Sequence, residues 1–190
     1  MNDARARLFV ALELPGEVRS ALADWRSSAL RGRSGLRLVA PEALHVTLCF
    51  LGWQAAGEIG AIASACGPVT ACGTVGLNVG SAVWLPPRRP RVLAMSLEDP
   101  ARGVAEVQSV LSGSLQEGGW YVPESRPFLP HVTVARVAKG ARPAGEELAP
   151  APPLQFRAST VTLFRSRLGA AGARYEPLRR FELHVDGLSP

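Results

Sequence analysis

The sequence predicts an α+β protein of two pseudo-symmetric lobes of antiparallel β-sheet with flanking helices. Three observations support this. The order strand, helix, short strand, long strand occurs twice along the chain. The two helix starts, near Pro15 and Ala101, are 86 residues apart, and the segments His45–Leu48 and His131–Val134 have the same separation. We therefore expect residues 1–190 to form a single domain of two intertwined lobes.

In the first half, residues 8–14 (LFVALEL) form an apolar run that predicts a strand. Pro15 follows at a position that favours the start of a helix. Apolar residues then recur at helical spacing as far as Gly32, and they predict a core-facing stripe: Val18, Ala21, Leu22, Trp25 and Ala29. Residues 36–39 predict a short strand before the run HVTLCFLG, in which Val46, Leu48 and Phe50 would pack against the core.

In the second half, residues 91–97 (RVLAMSL) predict a strand, and Asp99 is expected to cap the next helix. Four residues at helical spacing predict the buried face of that helix: Val104, Val107, Leu111 and Leu115. Gly118 and Gly119 would end it, and the run HVTVARVA follows Pro130.

The other segments are connectors and sheet edges. A helix is predicted at 58–66, a strand at 75–84 and basic or Pro-rich loops at 85–90 and 139–153. Two further strands are predicted at 156–167 and 175–185, joined by a hairpin at the glycines of positions 169 and 172.

The composition, with 47% hydrophobic and 19% charged residues, is that of a globular protein. The net charge of +5 suits an anionic partner, although the arginines are scattered rather than concentrated in one run. No apolar run is long enough to span a membrane, and the first residues do not resemble a signal peptide, so we expect a cytoplasmic monomer. Cys49, Cys66 and Cys72 are odd in number and lack CxxC spacing, so neither a disulfide framework nor a metal site is predicted.

Two of the three histidines are followed two positions later by threonine, His45 by Thr47 and His131 by Thr133. On a strand, residues i and i+2 point to the same face, so each segment presents an imidazole beside a hydroxyl. Imidazoles can act as acid or base near neutral pH, and hydroxyls can donate to phosphoryl oxygens. Two such strands face to face predict a metal-independent acid/base site for a small anion. His184 has no threonine after it and is expected at the surface or a sheet edge.

The paired motifs resemble those of the two-histidine phosphoesterase superfamily, and their flanks resemble bacterial RNA 2′,3′-cyclic phosphodiesterases, also called 2′–5′ RNA ligases. The matching stretches span nearly the whole chain in the family's order: RLFVALELP, LHVTLCFLG, PRRPRVLAMSL, PFLPHVTVAR and VTLFRSRLGAAGARYEPLRRFEL. The family's fold has two pseudo-symmetric lobes, which agrees with the prediction above, and the resemblance implies an active-site cleft between the lobes. At Cys49 the sequence departs from the family's pattern, which has a basic or polar residue at this place.

The resemblance implies an enzyme that hydrolyses the terminal 2′,3′-cyclic phosphates of RNA ends or nucleotides to 2′-phosphomonoesters, with no metal and no cofactor. His45 would be the proton donor to the leaving O3′, and His131 the proton acceptor for the attacking water. Thr47 and Thr133 would bind the phosphoryl oxygens. The reverse reaction, with an RNA 5′-hydroxyl as nucleophile, would make a 2′–5′ linkage.

Two questions stay open at the level of sequence. Arg136 corresponds to a substrate contact in the family, yet strict alternation puts it on the face opposite His131 unless the strand bulges after Val134. The alternative functions are a non-catalytic RNA-binding module and a related phosphodiesterase for small cyclic nucleotides or RNA 3′ ends. The sequence lacks the aromatic platform and the concentrated basic stripe of a dedicated single-strand binder.

Overall fold

The protein is built on one curled antiparallel sheet. A computed structural model describes residues 5–141, 148–169 and 172–184. The elements in chain order are β1 (Arg5–Glu13), α1 (Gly16–Ala29), β2 (Leu36–Leu38), β3 (His45–Ala55), α2 (Ile59–Ala65), β4 (Val75–Leu85), β5 (Val92–Glu98), α3 (Gly103–Glu117), β6 (His131–Val137), β7 (Gln155–Ala158), β8 (Thr160–Gly169) and β9 (Gly172–Glu182). Short 3₁₀ turns occupy Pro41–Ala43, Ala56–Glu58 and Gly67–Ala71.

The strand order shows the predicted internal symmetry. Among the described residues the strands follow one another as β7-β4-β5-β6-β3-β1-β8-β9, and β2 pairs with β6. A pseudo-twofold axis between β6 and β3 relates β5 to β1, β4 to β8 and β7 to β9. The predicted α+β class, with antiparallel sheet in two related lobes, is thereby confirmed.

The helices cover one face of this sheet, which we call the helix face. Val18 and Leu22 of α1 are buried there, as is the predicted apolar stripe of α3. They share one core cluster with Val46 and Val132, whose strand neighbours His45 and His131 point to the opposite side. We call that opposite side the histidine face.

The prediction of a single strand over residues 156–167 is wrong, because this segment contains two strands, β7 and β8. The chain changes partner at Ser159, so that β7 pairs with β4 and β8 pairs with β1, on opposite sides of the symmetry axis. Leu183, just after β9, donates its backbone N–H to the Ser159 carbonyl at 2.7 Å. The curled sheet thus brings its two edges together near Ser159. The apolar pattern of the sequence continues through Ser159, so it does not reveal that one strand ends and another begins there.

Two smaller expectations also need correction. Helix α3 begins at Gly103 rather than near Ala101, and its N-cap residue is Arg102 rather than Asp99, because Arg102 adopts a left-handed φ of 58° just before the helix. The Asp99 carboxylate still accepts the backbone N–H of Ala105 at 3.0 Å, which satisfies a free donor of the first turn. Trp25 is half-buried at the core edge and donates its indole N–H to the Pro150 carbonyl at 2.8 Å.

Part of the loop predicted at 139–153 and the end of the strand predicted at 175–185 lie outside the described residues. In the part of the chain that the structure describes, no helix is long and apolar enough to cross a membrane.

Because both lobes share one sheet, we predict that the chain unfolds in a single transition. Leu22→Ala in α1 and Leu111→Ala in α3 each remove a fully buried side chain, and each should lower the free energy of unfolding by about 2–5 kcal/mol. Urea unfolding followed by circular dichroism and by tryptophan fluorescence should give coincident curves for both variants. Leu38→Ala, at a residue that is 43% exposed, is the control. Separate transitions that respond to only one substitution would show that the lobes fold independently.

Candidate active site

The two histidine segments meet at the centre of the sheet. Strands β3 and β6 pair at a single register position, Val46 opposite Val132, and both valines are fully buried on the helix face. Continuing this antiparallel register sets His45 across from Thr133, and Thr47 across from His131. The structure therefore brings together the four residues of the two sequence motifs on the histidine face.

Each imidazole is oriented by a backbone carbonyl two residues earlier. The Nδ1 atom of His45 lies 2.8 Å from the Ala43 oxygen, and Nδ1 of His131 lies 2.8 Å from the Leu129 oxygen. A carbonyl oxygen only accepts, so Nδ1 carries the proton in both rings and donates it. Each neutral ring then has an unprotonated Nε2. In His45 this Nε2 accepts the Thr47 hydroxyl at 3.0 Å.

The electrostatic environment keeps His45 neutral. Burial of the ring lowers the pKa of His45 from 6.5 to about 4, although the hydrogen bond to Ala43 opposes this effect. The positive charges of Arg136 and His131 lower it further. A bound anion would act in the opposite direction and raise the pKa of His45.

Aromatic side chains from three strands surround the His45 ring. The ring centroids of Phe9, Tyr175 and Phe164 lie 5.0, 5.3 and 6.4 Å from that of His45. This apolar enclosure is what desolvates the imidazole. Sequence reasoning missed all three residues, because no motif connects positions so far apart in the chain.

Strand alternation breaks at the same place in both motifs. In β3, Cys49 and Thr47 oppose consecutive residues of β1, which leaves Leu48 unopposed. In β6, Ala135 and Thr133 oppose consecutive residues of β5, which leaves Val134 unopposed. Each is a β-bulge directly after the motif threonine, and each puts two adjacent residues in the core.

These bulges turn the next residue of each strand to the histidine face. The prediction that Phe50 packs in the core is therefore wrong, since it is 48% exposed and lies opposite Phe9. The Arg7 guanidinium lies over the Phe50 ring at 4.6 Å from its centroid. Arg136 is the symmetry counterpart of Phe50, is exposed, and is close enough for its charge to act on His45.

The remaining sequence candidates lie away from the site. His184 is exposed and bridges to Gly73 at the sheet edge, as predicted. Cys49 is buried, and burial raises the pKa of its thiol to about 12, so it presents no charge to a ligand. Within the described ranges, no cluster of three His, Cys, Asp or Glu residues gathers to hold a metal ion.

A cavity of about 260 Å³ adjoins His45 on the side towards β9. Its polar lining includes Glu13, Arg19, Glu42, Tyr175 and Arg180. Glu13 accepts hydrogen bonds from the Thr162 hydroxyl at 2.6 Å and from Nε of Arg180 at 2.9 Å. The charges lining the cavity are thus partly paired with one another.

The chain is similar to known proteins along most of its length. The family model described as the 2'-5' RNA ligase superfamily matches residues 14–170. The RNA 2',3'-cyclic phosphodiesterase of Escherichia coli is 31% identical over 180 residues, which cover 93% of this chain and 96% of that protein. The enzyme of the same name from Thermus thermophilus is 30% identical, covering 93% of this chain and 90% of its own.

Solved structures show the same fold. A crystal structure of a protein from Thermus thermophilus superposes with a TM-score of 0.81 at 26% identity, covering 95% of this chain and all of that one. The structure of E. coli LigT complexed with 3'-AMP has a TM-score of 0.78 at 28% identity, covering 95% of this chain and 99% of that one.

We predict that His45 of the free protein stays neutral down to about pH 4. Since its folded pKa lies below 6.5, the unfolded chain binds the extra proton first, and the folded state loses stability as the pH falls from 6.5 to about 4. Ring ¹⁵N NMR should show the Nδ1–H tautomer through this range, and inorganic phosphate should raise the pKa of His45. Free protein that titrates at His45 near pH 6.5 would contradict the buried environment described above.

Proposed function

The chain belongs to the 2'-5' RNA ligase superfamily, and we propose that it is an RNA 2′,3′-cyclic phosphodiesterase, a hydrolase that opens the terminal cyclic phosphate to a 2′-phosphomonoester. The observation that carries the proposal is the pair of imidazoles on one sheet face, each oriented through Nδ1 and each beside a threonine of its own motif. The relatives of the same name support the substrate class.

In the proposed reaction, His131 accepts a proton from water at Nε2 while the water oxygen forms a new bond to phosphorus. The bond from phosphorus to O3′ breaks, and His45 donates a proton from Nε2 to the leaving oxygen. Proton exchange with solvent restores both rings. His45 is neutral in the free protein, so the negative charge of the bound phosphodiester must raise its pKa before it can act as the acid.

The other site groups neutralise the phosphoryl oxygens. The hydroxyls of Thr47 and Thr133 donate hydrogen bonds to the nonbridging oxygens, and Arg136 adds a charge-assisted one. Together these groups would neutralise the negative charge of the phosphoryl oxygens, a task that a metal ion performs in other enzymes. With an RNA 5′-hydroxyl in place of water, the same groups run the reverse reaction and make a 2′–5′ linkage.

Phe50 supplies a surface for the base of the terminal nucleotide. It is half exposed on the histidine face beyond the first bulge, and aromatic rings of this kind stack on any base. The alternative of a non-catalytic RNA-binding module does not explain why a backbone carbonyl orients Nδ1 of both histidines. The remaining alternative is a related phosphodiesterase for small cyclic nucleotides or for RNA 3′ ends. Chain-length preference distinguishes the first, and the product formed from an RNA with a cyclic end distinguishes the second.

We predict that His45→Ala and His131→Ala each slow hydrolysis of an RNA ending in a 2′,3′-cyclic phosphate by about 100-fold or more, in buffer containing EDTA. The double variant should be little slower than the slower single variant, because the two groups work as a unit. Chromatography should identify the wild-type product as the 2′-phosphomonoester. His184→Ala, at the exposed histidine, is the matched control. Near-normal turnover by either active-site variant, or activity that EDTA abolishes, would refute this mechanism.

Removing the guanidinium in Arg136→Ala should cost about 1.5–3 kcal/mol in kcat/KM, the range for a charge-assisted hydrogen bond to phosphate. Steady-state kinetics on the same RNA measure this loss, and Arg31→Ala, at an exposed arginine beyond the end of α1, is the control. Unchanged kinetics in Arg136→Ala would remove Arg136 from the proposed site and leave the two histidine motifs in place.

A further inference from the structure

A second exposed aromatic residue follows Phe50 along β3. Phe50 and Gly52 oppose consecutive residues of β1, which leaves Leu51 unopposed in a second bulge. Gly52 adopts a φ of +69°, a conformation that favours glycine, and so permits this bulge. Trp53 therefore lies opposite Arg7 and is 53% exposed.

This second bulge determines the face on which Trp53 lies. Alternation from Phe50 without an extra residue would turn Trp53 to the helix face. Cross-strand partners share a face, and Arg7 is on the histidine face because its guanidinium covers Phe50. Two bulges thus place two aromatic residues in succession on the same face as the catalytic histidines.

Two guanidinium groups accompany these rings. Arg7 donates to the Ser166 hydroxyl at 3.1 Å, and Arg5 donates to the Trp53 carbonyl at 3.1 Å. Both acceptors are neutral, so these contacts do not cancel the positive charges. Exposed rings interleaved with cations are the chemistry by which proteins bind single-stranded nucleic acid. The sequence did not show this grouping, because only the two bulges bring Phe50 and Trp53 to one face.

The position of these residues relative to His45 sets which part of a substrate they can meet. Along β1, Glu13 lies opposite His45 and Arg7 lies opposite Trp53. At about 3.3 Å per residue, these two ends of the strand are about 20 Å apart, with Phe50 between them. A 2′,3′-cyclic phosphate is at the 3′ end of its chain, so every further nucleotide is attached on the 5′ side.

We propose that Trp53, Arg7 and Arg5 form a platform for the nucleotide immediately 5′ of the one that carries the cyclic phosphate. This inference rests on the proposed function and specifies its substrate: single-stranded oligoribonucleotide rather than mononucleotide. The upstream base stacks on Trp53, and the phosphate that joins the two nucleotides lies against the guanidinium groups. The platform continues directly from the Phe50 surface, and its charge complements the RNA backbone.

The test compares kcat/KM for adenosine 2′,3′-cyclic phosphate with that for the dinucleotide ApA carrying the same cyclic end. The wild-type protein should favour the dinucleotide by about 10-fold or more, mainly through KM. Trp53→Ala should lose most of this preference, and Trp53→Phe should keep most of it, because phenylalanine retains a stacking face. Leu38→Ala, which truncates an exposed side chain on the helix face, should leave both values unchanged.

Three outcomes would overturn the platform. Equal kcat/KM for the two substrates in the wild-type protein would refute the platform and leave the proposed function intact. A preference that survives Trp53→Ala but disappears in Arg19→Ala or Arg180→Ala would place the upstream nucleotide in the cavity beside His45 instead. Failure of the wild-type protein to open either substrate would refute the proposed function, and the platform with it. Thermal unfolding of Trp53→Ala verifies that the variant is folded.

Discussion

The contact between Val46 and Val132 is the point on which the site depends. Each half of the chain contributes a strand with one imidazole and one hydroxyl, so only the two strands together supply two imidazoles. Burying the two valines against each other on the helix face commits the neighbouring residues to the other face. The same backbone register therefore sets both the apolar core and the polar site. A slip by one residue would turn the valines to the histidine face and the histidines to the helix face.

The surroundings of His45 combine two opposing effects. Phe9, Tyr175 and Phe164 exclude water, which strengthens every interaction with a bound phosphate but also keeps the free imidazole from holding a proton. The hydrogen bond from Nδ1–H to the Ala43 carbonyl raises the pKa of His45 and so offsets part of the effect of burial. In the proposed mechanism, an anionic substrate supplies the missing countercharge when it binds. The proton that His45 would donate as the acid is then taken up together with the substrate.

The sequence predicted the parts of this protein that follow from short-range patterns. The two histidine motifs, the buried stripe of α3 and the repeated order of elements needed only spacing and periodicity. Phe50 and Ser159 show where such patterns fail. Before Phe50 a bulge adds one residue to the strand, and at Ser159 the chain changes its partner strand. Neither event is visible in the local pattern of apolar residues. Tyr175 reaches His45 only because the sheet curls, a long-range property that no local window contains.

The crossing of β7 and β8 at Ser159 has a consequence for synthesis on the ribosome. Strand β1 emerges first, but its second neighbour, β8, is made only from Thr160 onwards, after the whole second lobe. Until then the nascent chain carries an unpaired sheet edge at β1, of the kind that invites aggregation or pairing with another chain. The first lobe is thus the first to be translated and the last for which all strands are available.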